Sequence, residues 1–489
     1  MKNLIDLRTL TQLPDELAQR VYTSRLLGGD HSMVMHGGGN TSLKVVEDGE
    51  EILYVKGSGS DLGLVETADF APVRLVPVRR LIELKELGND AMIAAFRAAL
   101  KHPHAPRPSI ETLLHAVLPF KWVEHTHADA VLAVADTPHG ADHLRAALGD
   151  AVVIVPYRHS GFELAKCCHQ VFTRDATAKT IGMVLLHHGI FAFGNSAAES
   201  YGNMIELVGR AEDYLKSHAA WDIPTESRAL PPAEIHEFAA LRRDISRAAG
   251  APLLLRQTGD PLGLAYARRP DLAEISQQGP ATPHHAVFAK RVALLGRDAT
   301  GFASVYARYL ADHAPATPAW LPDPAPRVMF DPEWGLSVAA VNAQYADTAA
   351  EIAHHAMEIA WRAQALERYT SLPPREVLAA EIDYGGFELK IRRAAPLSGE
   401  VALVAGALAR RDEIADLLEQ GAAVIGLDEG EQVAALFASP AYLGFSDVKN
   451  ALSRGIHQFG GIDRLLGGNE RLEALCRPLL ALSPVTRGH

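Results

Sequence analysis

Short apolar runs bounded by turn-forming residues recur through the first half of the chain and constrain its fold more than any other feature. Each holds about 4 to 8 strand-like residues, and the clearest are EILYVKG, WVEHTHADAVLAV, AVVIVPY and GMVLLHHGIFAFG. Helical patterns and Gly-rich turns separate these runs, and residues 197–221 carry apolar side chains at helical spacing. The first 222 residues therefore predict an α/β unit that ends in a long helix.

Changes of pattern divide the remainder of the chain. With 489 residues the chain exceeds one ordinary domain of roughly 100 to 200 residues. The pattern becomes mainly helical after WDIPTESRALPPAE, and PLSGEVALVAGA begins a strand–turn–helix pattern. We therefore expect a catalytic domain over 1–225, a mainly helical connecting region over 226–395 and a small Rossmann-like domain over 396–489.

Composition excludes several classes of partner. The net charge of -12 gives no basic field for nucleic acid, and no apolar run is long enough to span a membrane. Three cysteines cannot build a disulfide framework, and the N-terminus lacks the apolar core of a secretory signal. The sequence predicts a cytoplasmic protein that binds neither nucleic acid nor a membrane.

Two histidines separated by one residue stand in the strand-like run VEHTHADA. On a strand, His125 and His127 would point to the same face and could chelate one metal ion. A catalytic zinc needs a third protein ligand, and LLHHG offers either His187 or His188 at the end of another strand-like run. An isolated pair of this kind is more often structural, so the interpretation depends on the neighbouring motifs.

A carboxylate lies at a predicted helix start in RPSIETLLHAVLP. Pro108 disfavours helix before it and Ser109 can cap, which places Glu111 in the first turn, where its charge suits the helix dipole. A carboxylate beside a metal site can also remove a proton from a substrate held there. Its position relative to the histidines decides between these two roles.

Two Gly-rich loops, HGGGNTSLK and VKGSGSDLG, are candidate anion sites. Exposed backbone amides in such loops bind phosphate or carboxylate, and side chains add hydroxyl and amide donors and one positive charge. Gly-rich turns also form for purely conformational reasons. The candidate residues in these loops are Asn40, Thr41, Ser42, Lys56 and Ser58.

In this order and at these separations, GGGNTS, KGSGSDLG, PSIE, HTHADAV and HHGIFAFG resemble the class II aldolase/adducin family over roughly the first 220 residues. The chain is most similar to the aldolase half and connecting region of bifunctional rhamnulose-1-phosphate aldolase/short-chain dehydrogenase proteins. The resemblance implies an α/β/α sandwich with a mainly antiparallel sheet and a zinc ion held by His125, His127 and His188. It makes Glu111 the acid/base and places a phosphate site at Gly39, Asn40, Gly57, Ser58 and Ser109.

Two departures concern the substrate. Fuculose-phosphate aldolases resemble this chain but have two serines before the glutamate, whereas here Ile110 follows Ser109, so Lys56 would have to compensate. Their proton-donating tyrosine has no counterpart, because Tyr157 matches a different part of the fold.

The resemblance implies a homo-oligomeric lyase. It would cleave a hydroxyketone or ketose, with or without a phosphate group, through an enediolate whose charge the metal stabilises. A dehydratase, epimerase or decarboxylase on the same metal site, and a noncatalytic adducin-like scaffold, are the alternatives.

The last 90 or so residues resemble a reduced dehydrogenase. Asp428 stands where a ribose-binding acid would lie, but the turn reads AGALARR, with Leu408 and Arg410 where glycines would approach a pyrophosphate. No Tyr-x-x-x-Lys pair is present, since Tyr442 and Lys449 are too far apart in sequence. We expect a structural or interfacial domain without functional NAD(P), and the binding of some other ligand is the alternative.

Overall fold

The computed structural model describes residues 1–225, 234–316, 318, 320–392 and 395–480, with only the backbone described at 384–392 and 431. The chain forms two compact units. Unit 1 consists of Met1–Ile223 and Glu358–Ser371, and unit 2 consists of Pro224–Met357 and Leu372–His489.

Unit 1 is built on a seven-stranded sheet with the order β3-β2-β1-β4-β7-β6-β5. Every neighbouring pair is antiparallel except β5 and β6, which are parallel. The strands are β1 (Asn40–Glu47), β2 (Glu50–Lys56), β3 (Phe70–Arg74), β4 (Trp122–Thr126), β5 (Val152–Val155), β6 (Gly182–Leu185) and β7 (Gly189–Gly194).

The β1–β2 hairpin shows how local sequence sets this sheet. Asp48 and Gly49 form its two-residue turn with φ values of 50° and 80°. An Asp-Gly pair tolerates positive φ at both positions, and the twist of such a turn matches that of the two strands. The register that follows pairs Ser42 with Val55 and fixes which β1 residues face each side of the sheet.

Nine α-helices lie within residues 1–223, all of which the structure describes, and the last turns of a later helix also belong to unit 1. Their starts are capped by side chains where the sequence offers them: Asp15 accepts from Ala18 N, and Ser196 accepts from Glu199 N. The helices are α1 (Leu7–Gln12), α2 (Glu16–Gly28), α3 (Leu75–Arg79), α4 (Asn89–Ala98), α5 (Thr112–Val117), α6 (Asp129–Ala135), α7 (Gly140–Leu148), α8 (Phe162–Asp175) and α9 (Ala197–Ser217).

Helices cover both faces of the sheet. On one face α2 and α9 contact β1, β4 and β7, and Leu43 and Trp122 join a small core there. On the other face α3 and α5 contact β2 and α8 contacts β5, around a larger core that includes Leu53, Val123 and Phe191. The predicted α/β/α sandwich with a mainly antiparallel sheet is confirmed.

The described residues of unit 2 form two four-stranded sheets. The first has the order β8-β11-β10-β9, and the second has the order β14-β13-β12-β15 with all neighbours parallel. The strands are β8 (Leu254–Gln257), β9 (Leu294–Leu295), β10 (Val328–Asp331), β11 (Gly335–Ala340), β12 (Val401–Ala405), β13 (Ala423–Leu427), β14 (Tyr442–Phe445) and β15 (Arg464–Leu466).

The remaining helices complete the chain. They are α10 (Ile235–Ala249), α11 (Pro261–Ala267), α12 (Leu272–Ile275), α13 (Pro283–Ala289), α14 (Ala299–His313), α15 (Ala343–Leu366), α16 (Pro374–Arg392), α17 (Arg411–Glu419), α18 (Val448–Phe459) and α19 (Glu470–Leu480). The middle region is thus mainly helical, as predicted, and also contains the sheet β8–β11. The parallel sheet β12–β15 with crossing helices is the predicted reduced Rossmann-like part.

Among the described residues, no helix combines the length and apolar character needed to cross a bilayer.

Candidate metal centre and acid/base site

Three histidines converge at the end of β4 and the β6–β7 turn. Strand alternation turns Thr126 towards Met204 of α9, so His125 points to the opposite face. His127 follows the last residue of β4, and its Nε2 lies 3.2 Å from Nε2 of His125. With His188, these side chains place one ligand atom each within 4.8 Å of one another.

The β6–β7 turn separates the two adjacent histidines. His187 adopts a φ of 55°, and its Nδ1 lies 3.0 Å from the buried carboxylate of Asp136. His188 instead points into the cluster, with its ring 5.2 Å from that of His125 and 5.5 Å from that of His127. Of the two candidates, His188 is the one that joins His125 and His127 at the end of β4.

The donor set fits a divalent cation. Nδ1 of His125 donates to the carbonyl of Ile190 at 3.1 Å, and burial lowers the pKa of His125 to about 4, so Nε2 carries no proton at neutral pH. Two nitrogens on a tetrahedral zinc lie about 3.3 Å apart, close to the spacing of His125 and His127. A cation here would be coordinated by ring nitrogens that otherwise face one another.

Glu111 faces this cluster from the start of α5. Its Oε1 lies 3.1 Å from Nε2 of His188, and its Oε2 lies 3.4 Å from Nε2 of His125. Oε1 is buried and accepts no well-aligned hydrogen bond from the described residues, which leaves it available to a ligand. Burial alone would raise the pKa of Glu111, but His125, His188 and the amide of Asn40 outweigh burial and hold the pKa well below its usual value.

The first Gly-rich loop passes directly against the histidines. Gly39 has a φ of 55°, and a Cβ there would lie 2.6 Å from the carbonyl oxygen of His125. Glycine is therefore required at this position. The next residue, Asn40, donates from Nδ2 to Oε2 of Glu111 at 2.6 Å and to Oγ of Ser109 at 3.0 Å.

Lys56 ties the two loops together. The side chain is 1% exposed, and Nζ donates to the carbonyls of Gly37 at 3.2 Å and Ser60 at 2.5 Å. Burial lowers the pKa of Lys56 to about 8. Its charge lies beside Glu111, and the two carbonyls use two of its three N–H donors.

Backbone amides of the second loop are also engaged. Gly57 N donates to the carbonyl of Asp69 at 2.7 Å, and Ser58 N donates to the carbonyl of Arg107 at 2.8 Å. Strand-edge pairing thus already satisfies these two amides, and an anion site at Gly57 and Ser58 stays a prediction. The hydroxyl of Ser58 accepts from Nη2 of Arg107 at 3.4 Å.

Thr41 departs from the expected arrangement. Its hydroxyl lies 2.8 Å from Oγ of Ser24 on α2, on the face of the sheet opposite to Asn40. Alternation along β1 makes this unavoidable once Asn40 faces Glu111. The side chain of Thr41 thus lies outside the site, whereas those of Asn40, Lys56 and Ser109 lie within or beside it.

Sequence reasoning missed His115, which the apolar pattern of LLHAVL places on the core face of α5. It is fully buried, with Nε2 against Oδ1 of Asn40 and Nδ1 at 2.7 Å from Oγ of Ser42. The available signal was its spacing: Glu111 and His115 are four residues apart, which places both on one side of a helix.

The dehydrogenase-like part has a cavity of about 610 Å³ at the carboxyl ends of β12–β15. Asp428 lies there, but its carboxylate accepts from the backbone N–H of Leu408 and Glu429, both at 2.8 Å. The bond from Leu408 ties the carboxylate of Asp428 to the backbone of the AGALARR turn.

Two family models match the chain. One, described as the class II aldolase and adducin N-terminal domain, matches residues 18–215, and the other, described as the second domain of class II aldolases, matches residues 232–390. A Bacillus subtilis (strain 168) protein named "Uncharacterized oxidoreductase YuxG" is 27% identical over 95% of this chain and 74% of its own length.

Solved structures give similar matches. The N-terminal class II aldolase domain of a conserved protein from Thermoplasma acidophilum is 36% identical over 44% of this chain and 99% of its own, with a TM-score of 0.41. An L-fuculose-1-phosphate aldolase from Thermus thermophilus is 17% identical over 43% of this chain and 100% of its own, with a TM-score of 0.29. The two family matches and the 36% identity show that this chain belongs to the class II aldolase/adducin family.

Proposed function

We propose that this chain is a divalent-metal-dependent lyase that cleaves the C–C bond of a hydroxyketone or ketose by a retro-aldol reaction. The observation that carries the proposal is the position of Glu111, whose two carboxylate oxygens lie 3.1 Å and 3.4 Å from His188 and His125. An acid/base group and a candidate metal centre thus share one site.

His125, His127 and His188 would hold the ion, and zinc suits three imidazole ligands with an open position. When bound, the ion would act as a Lewis acid towards the carbonyl and hydroxyl oxygens of the substrate, an effect worth several kcal/mol.

Glu111 would handle the proton on carbon. In the aldol direction its carboxylate accepts a proton from the carbon beside the carbonyl, which leaves an enediolate. In the cleavage direction the hydroxyl group on the aldehyde side loses its proton to solvent water as the C–C bond breaks, and Glu111 delivers a proton to the enediolate carbon, which releases an aldehyde and a dihydroxyacetone-type fragment. The low pKa of Glu111 keeps the group ionised and ready to accept the proton.

The Gly-rich loops would receive the other end of the substrate. Asn40 and Ser109 present polar side chains beside Glu111, and Lys56 supplies a buried positive charge. With Gly39, Gly57 and Ser58, these residues form the proposed site for a phosphate or a terminal hydroxyl group.

The burial of these groups argues against a noncatalytic scaffold. Glu111 is 6% exposed and His125 is fully buried, and burying ionisable groups without a use costs stability. A protein that only scaffolds would gain by replacing both with apolar residues.

Three further expectations stay predictions. They are the division into 1–225, 226–395 and 396–489, a homo-oligomeric assembly, and a cytoplasmic location. The expectation that the chain uses no NAD(P) is kept in the proposal, because Leu408 and Arg410 occupy the turn and Asp428 is already bonded to the backbone.

The proposal is tested with the full-length, metal-loaded protein and a panel of ketoses and ketose 1-phosphates. Release of an aldehyde and a dihydroxyacetone-type fragment that a chelator abolishes would support it. Loss of water, inversion at a carbon or release of CO2 without C–C cleavage would identify the dehydratase, epimerase or decarboxylase alternatives. A protein that purifies without stoichiometric metal and binds none on titration would favour the scaffold.

A further inference from the structure

His115 is a buried histidine outside the metal cluster that is bonded through both ring nitrogens. Its Nδ1 lies 2.7 Å from Oγ of Ser42, and its Nε2 contacts Oδ1 of Asn40. Asn40 in turn donates from Nδ2 to Oε2 of Glu111 at 2.6 Å. A continuous chain of hydrogen bonds thus runs from Ser42 through His115 and Asn40 to the carboxylate of Glu111.

The bond between Asn40 and Glu111 fixes which atom donates and which accepts in the other hydrogen bonds of this chain. An ionised carboxylate only accepts, so the amide of Asn40 must present Nδ2 to Glu111 and Oδ1 to His115. Oδ1 only accepts, so Nε2 of His115 must carry the proton. Nδ1 is then bare and accepts from the hydroxyl of Ser42.

The imidazole ring of His115 carries a single N–H proton. It is fully buried, and burial lowers the pKa of His115 to about 3, so the ring is neutral at neutral pH. With one proton, the ring has only two tautomers, and only the Nε2–H form satisfies both neighbours.

We propose that His115 is a positioning residue that locks the amide of Asn40 with its N–H side towards Glu111. This inference rests on the proposed role of Glu111 as acid/base. If the amide turned over, Oδ1 would face the carboxylate, and repulsion would push Glu111 away from His125 and His188.

Two conservative substitutions separate this role from simple packing. Glutamine places an N–H donor near the position of imidazole Nε2, whereas asparagine places its amide nearer to Nδ1 and cannot reach Asn40. We expect H115N to lower kcat roughly ten-fold, with KM and metal content little changed, because one buried hydrogen bond is lost. H115Q should recover most of kcat.

The matched control is His143, a partly buried histidine of α7 that bonds to Tyr214 at 2.8 Å and lies outside this chain of bonds. H143N should leave kcat unchanged. Normal turnover in H115N, or equal losses in H115N and H115Q with metal retained, would overturn the proposal.

A second measurement does not depend on turnover. In metal-free protein labelled with 15N-histidine, the signals of His115 are those missing from the H115Q spectrum. We expect the neutral Nε2–H tautomer from about pH 8 to about pH 5. An Nδ1–H tautomer or an imidazolium at neutral pH would refute the positioning role. If no substrate is cleaved, the proposed function fails, while this spectrum still decides the inference.

Discussion

Oε1 of Glu111 lies 3.1 Å from Nε2 of His188, although 77 positions separate the two residues in the sequence. The start of α5 and the β6–β7 turn meet over the end of β4, and this meeting brings an acid/base group to a cluster of imidazoles.

The first prediction concerns the ligands. H125A or H188A should remove the metal and abolish activity, because a site with three protein ligands loses most of its affinity for the ion when one ligand is removed. H187A is the matched control, since its side chain pairs with Asp136 outside the cluster, and it should keep much of the metal. Plasma mass spectrometry of the purified proteins is the measurement. Loss of metal in H187A with retention in H188A would reverse the assignment.

The second prediction isolates the proton transfer. E111Q should fold, keep its metal and lose at least about 100-fold in turnover, the range expected for general acid–base catalysis. Turnover and metal content are measured on the same sample. Near-normal rates in metal-loaded E111Q would leave Glu111 with only a structural role at the start of α5.

The third prediction concerns the close approach of Gly39 to β4. G39A places a Cβ 2.6 Å from the carbonyl oxygen of His125 and also strains a positive φ. It should lower the free energy of unfolding by about 1 to 3 kcal/mol and weaken metal binding.

G49A is the control for this prediction. Gly49 also has a positive φ, of 80°, but no atom of the described residues lies within 4 Å of the added Cβ. Its cost should be about 1 kcal/mol, with metal binding intact. Thermal unfolding and metal titration of both variants give the comparison. Equal effects would show that contact with His125 is unimportant.

The fourth prediction is a pH dependence of stability. Burial lowers the pKa of His285 in unit 2 from 6.5 to about 3, so below about pH 6.5 the unfolded chain binds a proton that the folded chain does not. The free energy of unfolding should therefore fall as pH falls from about 6.5 towards 3. H285Q should reduce this slope by up to about 1.4 kcal/mol per pH unit. Denaturant titrations from about pH 7 to about pH 5 measure the slopes, and identical slopes would contradict the prediction.

The fifth prediction concerns the C-terminal sheet. Full-length protein should not bind NAD or NADP, because the AGALARR turn lacks the glycines that admit a pyrophosphate and the carboxylate of Asp428 is bonded to Leu408 N. Calorimetric titration tests this. Micromolar binding of either cofactor would show that the cavity of about 610 Å³ at this sheet edge holds phosphate in another way.

Local patterns in the sequence predicted much of the fold. The apolar spacing of residues 197–221 predicted the long helix α9, and the strand-like runs predicted strands of the sheet in unit 1, because these signals act within a few residues. The sheet β8–β11 of unit 2 was not predicted. Its shortest strand, Leu294–Leu295, has only two residues, too few to show a period.

The candidate site divides in the same way. Alternation and spacing brought His125, His127 and Glu111 to notice, and the family resemblance selected His188. Thr41 faces away from the site because of where β1 begins, and the hydrogen bonds of His115 depend on how β1 packs against α5. Neither feature follows from a local sequence pattern. Such contacts are long-range in sequence, as between Ser42 and His115, and become visible only in the fold.

Hydrogen exchange at the carbon beside the carbonyl tests the role of Glu111 as acid/base. The metal-loaded, full-length protein is incubated in D2O with dihydroxyacetone or its phosphate and no aldehyde, and the proton spectrum is followed. If Glu111 removes the proton beside the carbonyl, the signal of the protons on that carbon should decrease when enzyme is present. It should stay constant when the metal is removed with a chelator or when E111Q replaces the wild type. A metal-loaded wild-type protein that exchanges neither compound, or an E111Q variant that exchanges as fast as wild type, would show that Glu111 does not remove this proton.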